Sequence, residues 1–128
     1  MDFKIKLFNW PDKGNHLIIL SLGAMDRAAF GQLFGEIETA TQDLSECKVI
    51  VDLSDSTYEL DGIEIEALVA GLPLDRWPEG NKIAFVSALG ISDYNRLYFL
   101  RNQLVARALG VEVFRNSIVA IDWLAGII

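Results

Sequence analysis

The chain has 128 residues, of which 52% are hydrophobic and 23% charged, and a net charge of −7. That is the size and balance of one globular domain, 1–128, able to bury a core without disulfide or metal staples. An acidic chain repels polyanions, so nucleic acid is excluded as an expected partner.

Cys47 is the only cysteine, so no internal disulfide can form and a reducing, cytoplasmic setting is expected. The opening residues alternate charged and apolar side chains, unlike a secretory leader. No apolar run reaches the ~20 residues that a transmembrane helix needs. Charge is unevenly spread. Between Glu36 and Glu79 twelve acids face only Lys48 and Arg76, whereas from Gly90 onward four arginines outnumber Asp93, Glu112 and Asp122.

In chain order, Phe3, Ile5 and Leu7 alternate with Lys4 and Lys6, the period of a strand, with lysines suited to an edge. Pro11-Asp12-Lys13-Gly14 is a turn, and His16 to Leu22 a second strand. The two form a hairpin. Asp26 caps a first helix whose inward face is Phe30, Leu33, Phe34, Ile37 and Leu44. Gly31 and Gly35 sit four apart on it, a spacing that permits a close helix approach or merely marks an exposed face.

Lys48 to Leu53 is expected as a third strand ending near Asp52, followed by a loop. Asp61 and Glu64 have capping-box spacing at the start of a second helix. Its stripe is Ile65, Leu68, Val69 and Leu72, and Pro73 ends it. Glu79-Gly80-Asn81 is a turn before the strand Ile83 to Val86.

Ser92 or Asp93 begins a third helix, expected to be the longest, with Leu97, Leu100, Leu104 and Ala108 inward and Gly110 as its stop. Val111 to Phe114 is a last strand. Ser117 is expected to cap a final helix that carries Ile118, Ile121 and Leu124. The order β-β-α-β-α-β-α-β-α implies an α/β fold: a mostly parallel sheet with right-handed crossovers and an antiparallel N-terminal edge strand.

Two segments carry a family resemblance. Val49-Ile50-Val51-Asp52-Leu53-Ser54, running on to the helix start at Asp61, resembles the strand, Asp-Leu-Ser, loop and helix of STAS domains. Val111-Glu112-Val113-Phe114 followed by Ile121-Asp122-Trp123-Leu124 is similar to the close of the SpoIIAA-like group. The resemblance implies the fold of the anti-sigma-factor antagonists and a protein partner. Those antagonists are switched by phosphorylation of a Ser or Thr at the start of the second helix. An ungapped alignment from Asp52 places Asp61 there, beside Leu60 and Gly62. Aspartate cannot accept a phosphoryl group from a Ser/Thr kinase, and its single charge only partly imitates a phosphate.

No catalytic set is apparent. His16 and Cys47 alone could make a Cys-His pair, and no third orienting group is indicated. Glycine-rich phosphate loops and nucleophile elbows are absent. The acids Asp52, Asp55, Glu59, Asp61, Glu64 and Glu66 have no calcium-loop spacing, so no metal or cofactor is expected, and a solvated face or a docking surface for a protein suits them better. Asp52 is the leading single residue, since ligands of open α/β sheets lie beyond strand C-termini. Tyr94, Tyr98, Phe99, Arg96 and Arg101 mix aromatic and cationic side chains on the third helix, as core-and-solvent faces do and as partner or lipid-headgroup surfaces do. Trp10, and Trp77 with Pro78, are expected in loops, as core lids or interface anchors.

The expected function is a non-enzymatic interaction or regulatory module. Its expected partner surface comprises Asp52, Asp55, Glu59, Asp61, Glu64, Tyr94, Tyr98 and Arg101, and a homodimer fits the apolar end Ala125-Gly126-Ile127-Ile128. The alternatives are a carrier or sensor of a small apolar ligand or lipid and, behind it, a metal-assisted enzyme using Asp52 and Asp55.

Overall fold

The computed structural model describes residues 2–10, 14–42, 47–58, 60–72, 82–87, 91–107 and 109–126, the backbone alone at 2–10, 14–18, 20–24, 55, 58 and 91–94. Among the described residues nine elements follow in the expected order: β1 (Asp2–Trp10), β2 (Gly14–Met25), α1 (Arg27–Thr41), β3 (Cys47–Tyr58), α2 (Gly62–Ala70), β4 (Lys82–Val86), α3 (Ile91–Val105), β5 (Gly110–Phe114) and α4 (Ser117–Leu124).

The strands form one sheet in the order β1-β2-β3-β4-β5. β1 pairs antiparallel with β2, and the remaining pairs are parallel. Because each crossover steps the same way along the sheet, right-handed connection puts α1, α2 and α3 on one face. Their apolar sides close a large core with Ile19, Met25, Val49, Val51, Leu53, Ile83, Phe85, Val111 and Val113. Phe34 meets Phe85 edge-on at 6.4 Å between ring centroids. α4 follows the last strand and lies on the opposite face, over a small cluster of Ile50, Ala84 and Val86, filled by Ala120 and Leu124. β3 and β4 are thus covered on both sides, which accounts for their unbroken apolar runs.

The helix starts follow local chemistry. Asp26 accepts the Ala29 N–H at 2.8 Å and so caps α1. Phe30, Leu33, Phe34 and Ile37 are buried beneath it. Buried Thr41 donates its hydroxyl to the Ile37 carbonyl at 2.7 Å, so it leaves no unmet polar group. A Cβ at Gly31 would sit 4.0 Å from Leu68, and one at Gly35 would meet nothing within 4 Å, so neither glycine marks a forced close approach.

Several expectations are corrected. β2 runs to Met25 and β3 to Tyr58, so the segment after Leu53 is paired strand and not loop. Its serines, aspartate and threonine read as loop formers, yet β2 continues alongside and supplies the ladder. The pairing passes from Leu20↔Asp52 to Leu22↔Asp55, one extra residue in β3, which is a β-bulge. The bulge inverts the alternation beyond it: Leu53 faces the large core before it, and Ser56 is buried after it. α3 and α1 each span 15 residues, so α3 is not the longest alone. It starts at Ile91, and Gly110 opens β5 and does not stop the helix. There the Leu109 N–H returns to the Leu104 carbonyl at 3.2 Å. Asn116, not Ser117, caps α4, accepting the Val119 N–H at 2.9 Å. Ile118 and Ile121 are exposed on α4, and Ala120 shares its inward side with Leu124.

The expected turns at Pro11-Asp12-Lys13 and Glu79-Gly80-Asn81 lie outside the described residues, as do Leu44, Pro73, Trp77, Pro78, Ala108, Ile127 and Ile128.

Candidate functional site between α2 and α3

The start of α2 is built from four consecutive choices in the sequence. Leu60 is buried, Asp61 follows as N-cap, Gly62 opens the helix and Ile63 is 79% exposed. The Asp61 carboxylate accepts the Glu64 N–H at 2.8 Å, and Glu64 reaches back to the Asp61 N–H at 3.5 Å. This is the capping box that the spacing predicts. Leu60 and Ile65 flank the box and line one small apolar void of ≈ 10 Å³ with Phe30, Leu97 and Leu100. They form the hydrophobic staple that fixes how the chain enters the helix. At the other end of α2, Arg107 Nη1 donates to the Val69 carbonyl at 3.4 Å, placing a cation where the helix dipole is negative.

Above that void the two helices diverge into an open groove of ≈ 360 Å³, lined by Gly62, Ile65, Asn95, Arg96 and Phe99. A Cβ at Gly62 would stand 3.8 Å from the Phe99 ring, in ordinary contact, so the wall there has room for a small side chain. The walls are an aliphatic side chain, an aromatic edge, an amide and a guanidinium. Asp61, Ile63 and Glu66 are exposed in the same N-terminal half of α2.

The residues anticipated as a partner surface separate into three places. Asp61 and Glu64 stand at the α2 start. Tyr98 and Arg101 belong to the far side of α3, toward β5: Arg101 Nη2 pairs with Glu112 Oε2 at 3.0 Å, and its guanidinium lies 5.2 Å from the Tyr98 ring centroid. Asp52 lies on the other side of the sheet. It is paired in register with Val86 and follows Ile50 by two, both of the small cluster. Its carboxylate accepts the Ser54 N–H at 2.9 Å and so satisfies a backbone group at the bulge. It also does not end its strand, and a sheet wound in a single direction has no reversal of strand order to open a ligand crevice there. Glu59 and the side chains of Asp55 and Tyr94 lie outside the described residues, as do those of Trp10 and His16.

Cys47 is buried in the large core. Among the described residues no three His, Cys, Asp or Glu side chains gather in a way that would hold a metal ion, and no helix is long and apolar enough to cross a membrane. Sequence reasoning noticed Arg96 and Phe99 without a partner element, and it missed Asn95 and Gly62 as groove residues. Only the meeting of α2 with α3 assigns them, and that contact is non-local.

No protein-family model matches the chain, and no curated protein matches it. Solved structures do. One is an uncharacterized protein of the DUF3478 family with a SpoIIAA-like fold from Shewanella loihica PV-4. It is 16% identical with a TM-score of 0.58, over 95% of this chain and 93% of that one. Another is the anti-sigma factor antagonist SpoIIAA in its unphosphorylated form, 15% identical with a TM-score of 0.50, over 96% and 99%. The fold is SpoIIAA-like. In this SpoIIAA-like frame the groove sits between the second and third helices, beside the capped start of the second, and Asp61 is the residue at that start.

Proposed function

We propose that this chain is a single-domain, non-enzymatic regulatory module that binds a protein partner across the α2–α3 groove. The observation that carries this reading is an open, mixed apolar and cationic groove between α2 and α3, with a 79% exposed isoleucine, Ile63, next in sequence to Gly62 of its wall. Large exposed apolar residues next to a concavity are a usual mark of association surfaces. A groove open to solvent, with Asn95 and Arg96 in its wall, suits a protruding side chain of a partner. A carrier of an apolar ligand needs most of that ligand's surface enclosed, and this groove encloses little.

The likeness to SpoIIAA supports a regulatory role by analogy of fold. On the ungapped alignment from Asp52, Asp61 takes the position at which antagonists of that type carry a phosphorylatable hydroxyl. In this chain that side chain is already engaged with the Glu64 amide. Binding is therefore constitutive with respect to kinases acting at this position, or is controlled elsewhere.

The test is a comparative pull-down from native extract of the source organism, with the wild-type chain, Ile63→Asp and Gly62→Trp as baits. Ile63 contributes nothing to the core, so Ile63→Asp keeps the fold. A protein recovered by the wild type and lost with both variants is the expected result. Identical recovery with all three baits would refute the groove as the docking site.

A further inference from the structure

We propose that Glu112 and Arg101 form an edge guard, a clasp that keeps the outer strand β5 from pairing with β5 of a second copy of this chain. Among the described strands β5 borders the sheet opposite β1. Its Val111 and Val113 side chains enter the large core, and Phe114 packs against the small cluster. By alternation Glu112 starts on the small-cluster side, in register with Ala84. Its carboxylate nonetheless meets Arg101, which belongs to α3 on the opposite face. With β4 occupying one flank, the side chain can make that journey only around the open edge.

The hydrogen bonds agree with this path. The Phe114 carbonyl accepts from Ser87 N–H at 2.9 Å, so it points inward, toward β4. Successive residues of a strand point their amide groups to opposite sides, so Val111 and Val113 point outward. The outward N–H of Val113 donates to Glu112 Oε1 at 3.1 Å, while Oε2 holds Arg101. The carboxylate thus occupies a donor that an added strand would need, and Tyr98 backs the guanidinium that fixes it.

Position adds a second barrier. Glu112 is the central residue of the five in β5. In a fully overlapped antiparallel pairing of two copies, the central residue faces itself as a non-hydrogen-bonded pair, the closer of the two kinds. Two carboxylates would stand directly opposed. A charge turned in at an edge is a recognised defence against sheet-to-sheet association.

Sedimentation equilibrium over a concentration series tests the proposal. Glu112→Thr removes the charge and installs a good strand former. Its weight-average mass is expected to climb with concentration toward twice that of the wild type, with slower amide exchange at Val111 and Val113. Glu112→Lys breaks the clasp but keeps a like charge at the centre, and is expected to stay at the wild-type mass. The proposal is overturned if folded Glu112→Thr follows the wild type at every concentration. It is equally overturned if Glu112→Lys associates as strongly, because the association would then come from a loosened fold. Should threonine prevent folding, Glu112→Gln, which keeps the shape and an acceptor for Val113 but removes the opposed charges, is the second variant and is expected to gain mass by less than threonine would, with no gain at any concentration overturning the proposal.

Discussion

The two faces of the sheet are held by very different amounts of material. On one, α1, α2 and α3 bury an aromatic and aliphatic core that reaches from β2 to β5. On the other, α4 seats Ala120 and Leu124 against Ile50, Ala84 and Val86, with Phe114 and Trp123 at the margin. α4 is eight residues long, shorter than an isolated helix can be in water, so its existence depends on that small cluster. The contrast leads to the expectation that one sheet carries a thick, stability-determining side and a thin side whose helix opens at a lower threshold of its own.

The strongest blow to the thick side is Phe85→Ala. Phe85 is wholly buried beside Phe34, and the loss is expected to be about 3–5 kcal/mol, read as a drop in the urea midpoint at unchanged slope. Because whole domains are stable by only about 5–15 kcal/mol, this variant stands near the limit of folding. Leu124→Ala on the thin side is expected to cost about 2 kcal/mol and to act locally. Amide exchange should accelerate in α4 while α1 and β3 keep their protection. If α1 amides speed up in step with those of α4, the two faces are one cooperative unit and the contrast fails. The smallest effect is expected from Lys82→Met. The Lys82 ammonium lies 5.4 Å from the Trp123 ring centroid, and its loss should cost about 0.5–1 kcal/mol in the same urea titration, diminishing at high salt.

Much of this architecture was legible in the residues because its signals are local. Asp26 and the Asp61/Glu64 pair mark helix starts through bonds spanning three residues. The stripes Phe30–Leu33–Phe34–Ile37 and Ile65–Leu68–Val69 read inward correctly because helical period and burial coincide. The second half of β3 did not read as strand, since a bulge breaks its alternation and its residue types favour turns. α4 misled for another reason. Its sequence is apolar nearly all round, so period alone could not tell Ala120 from Ile118, which is 72% exposed. The groove and the Arg101–Glu112 pair needed contacts between elements, which no single window of sequence contains.

The extra residue in β3 has a consequence for how this chain can change over time. Point replacements near Leu53 and Ser54 alter one side chain each, and losing one residue there would only remove the bulge, leaving Asp55 opposite Leu22 and Ser56 opposite Gly23 as they stand now. One residue more or fewer in the regular stretch from Val49 to Asp52 would instead slide its neighbours by one and turn their side chains to the other face. The bulge is therefore expected to be the place where β3 can shorten without changing what faces the core.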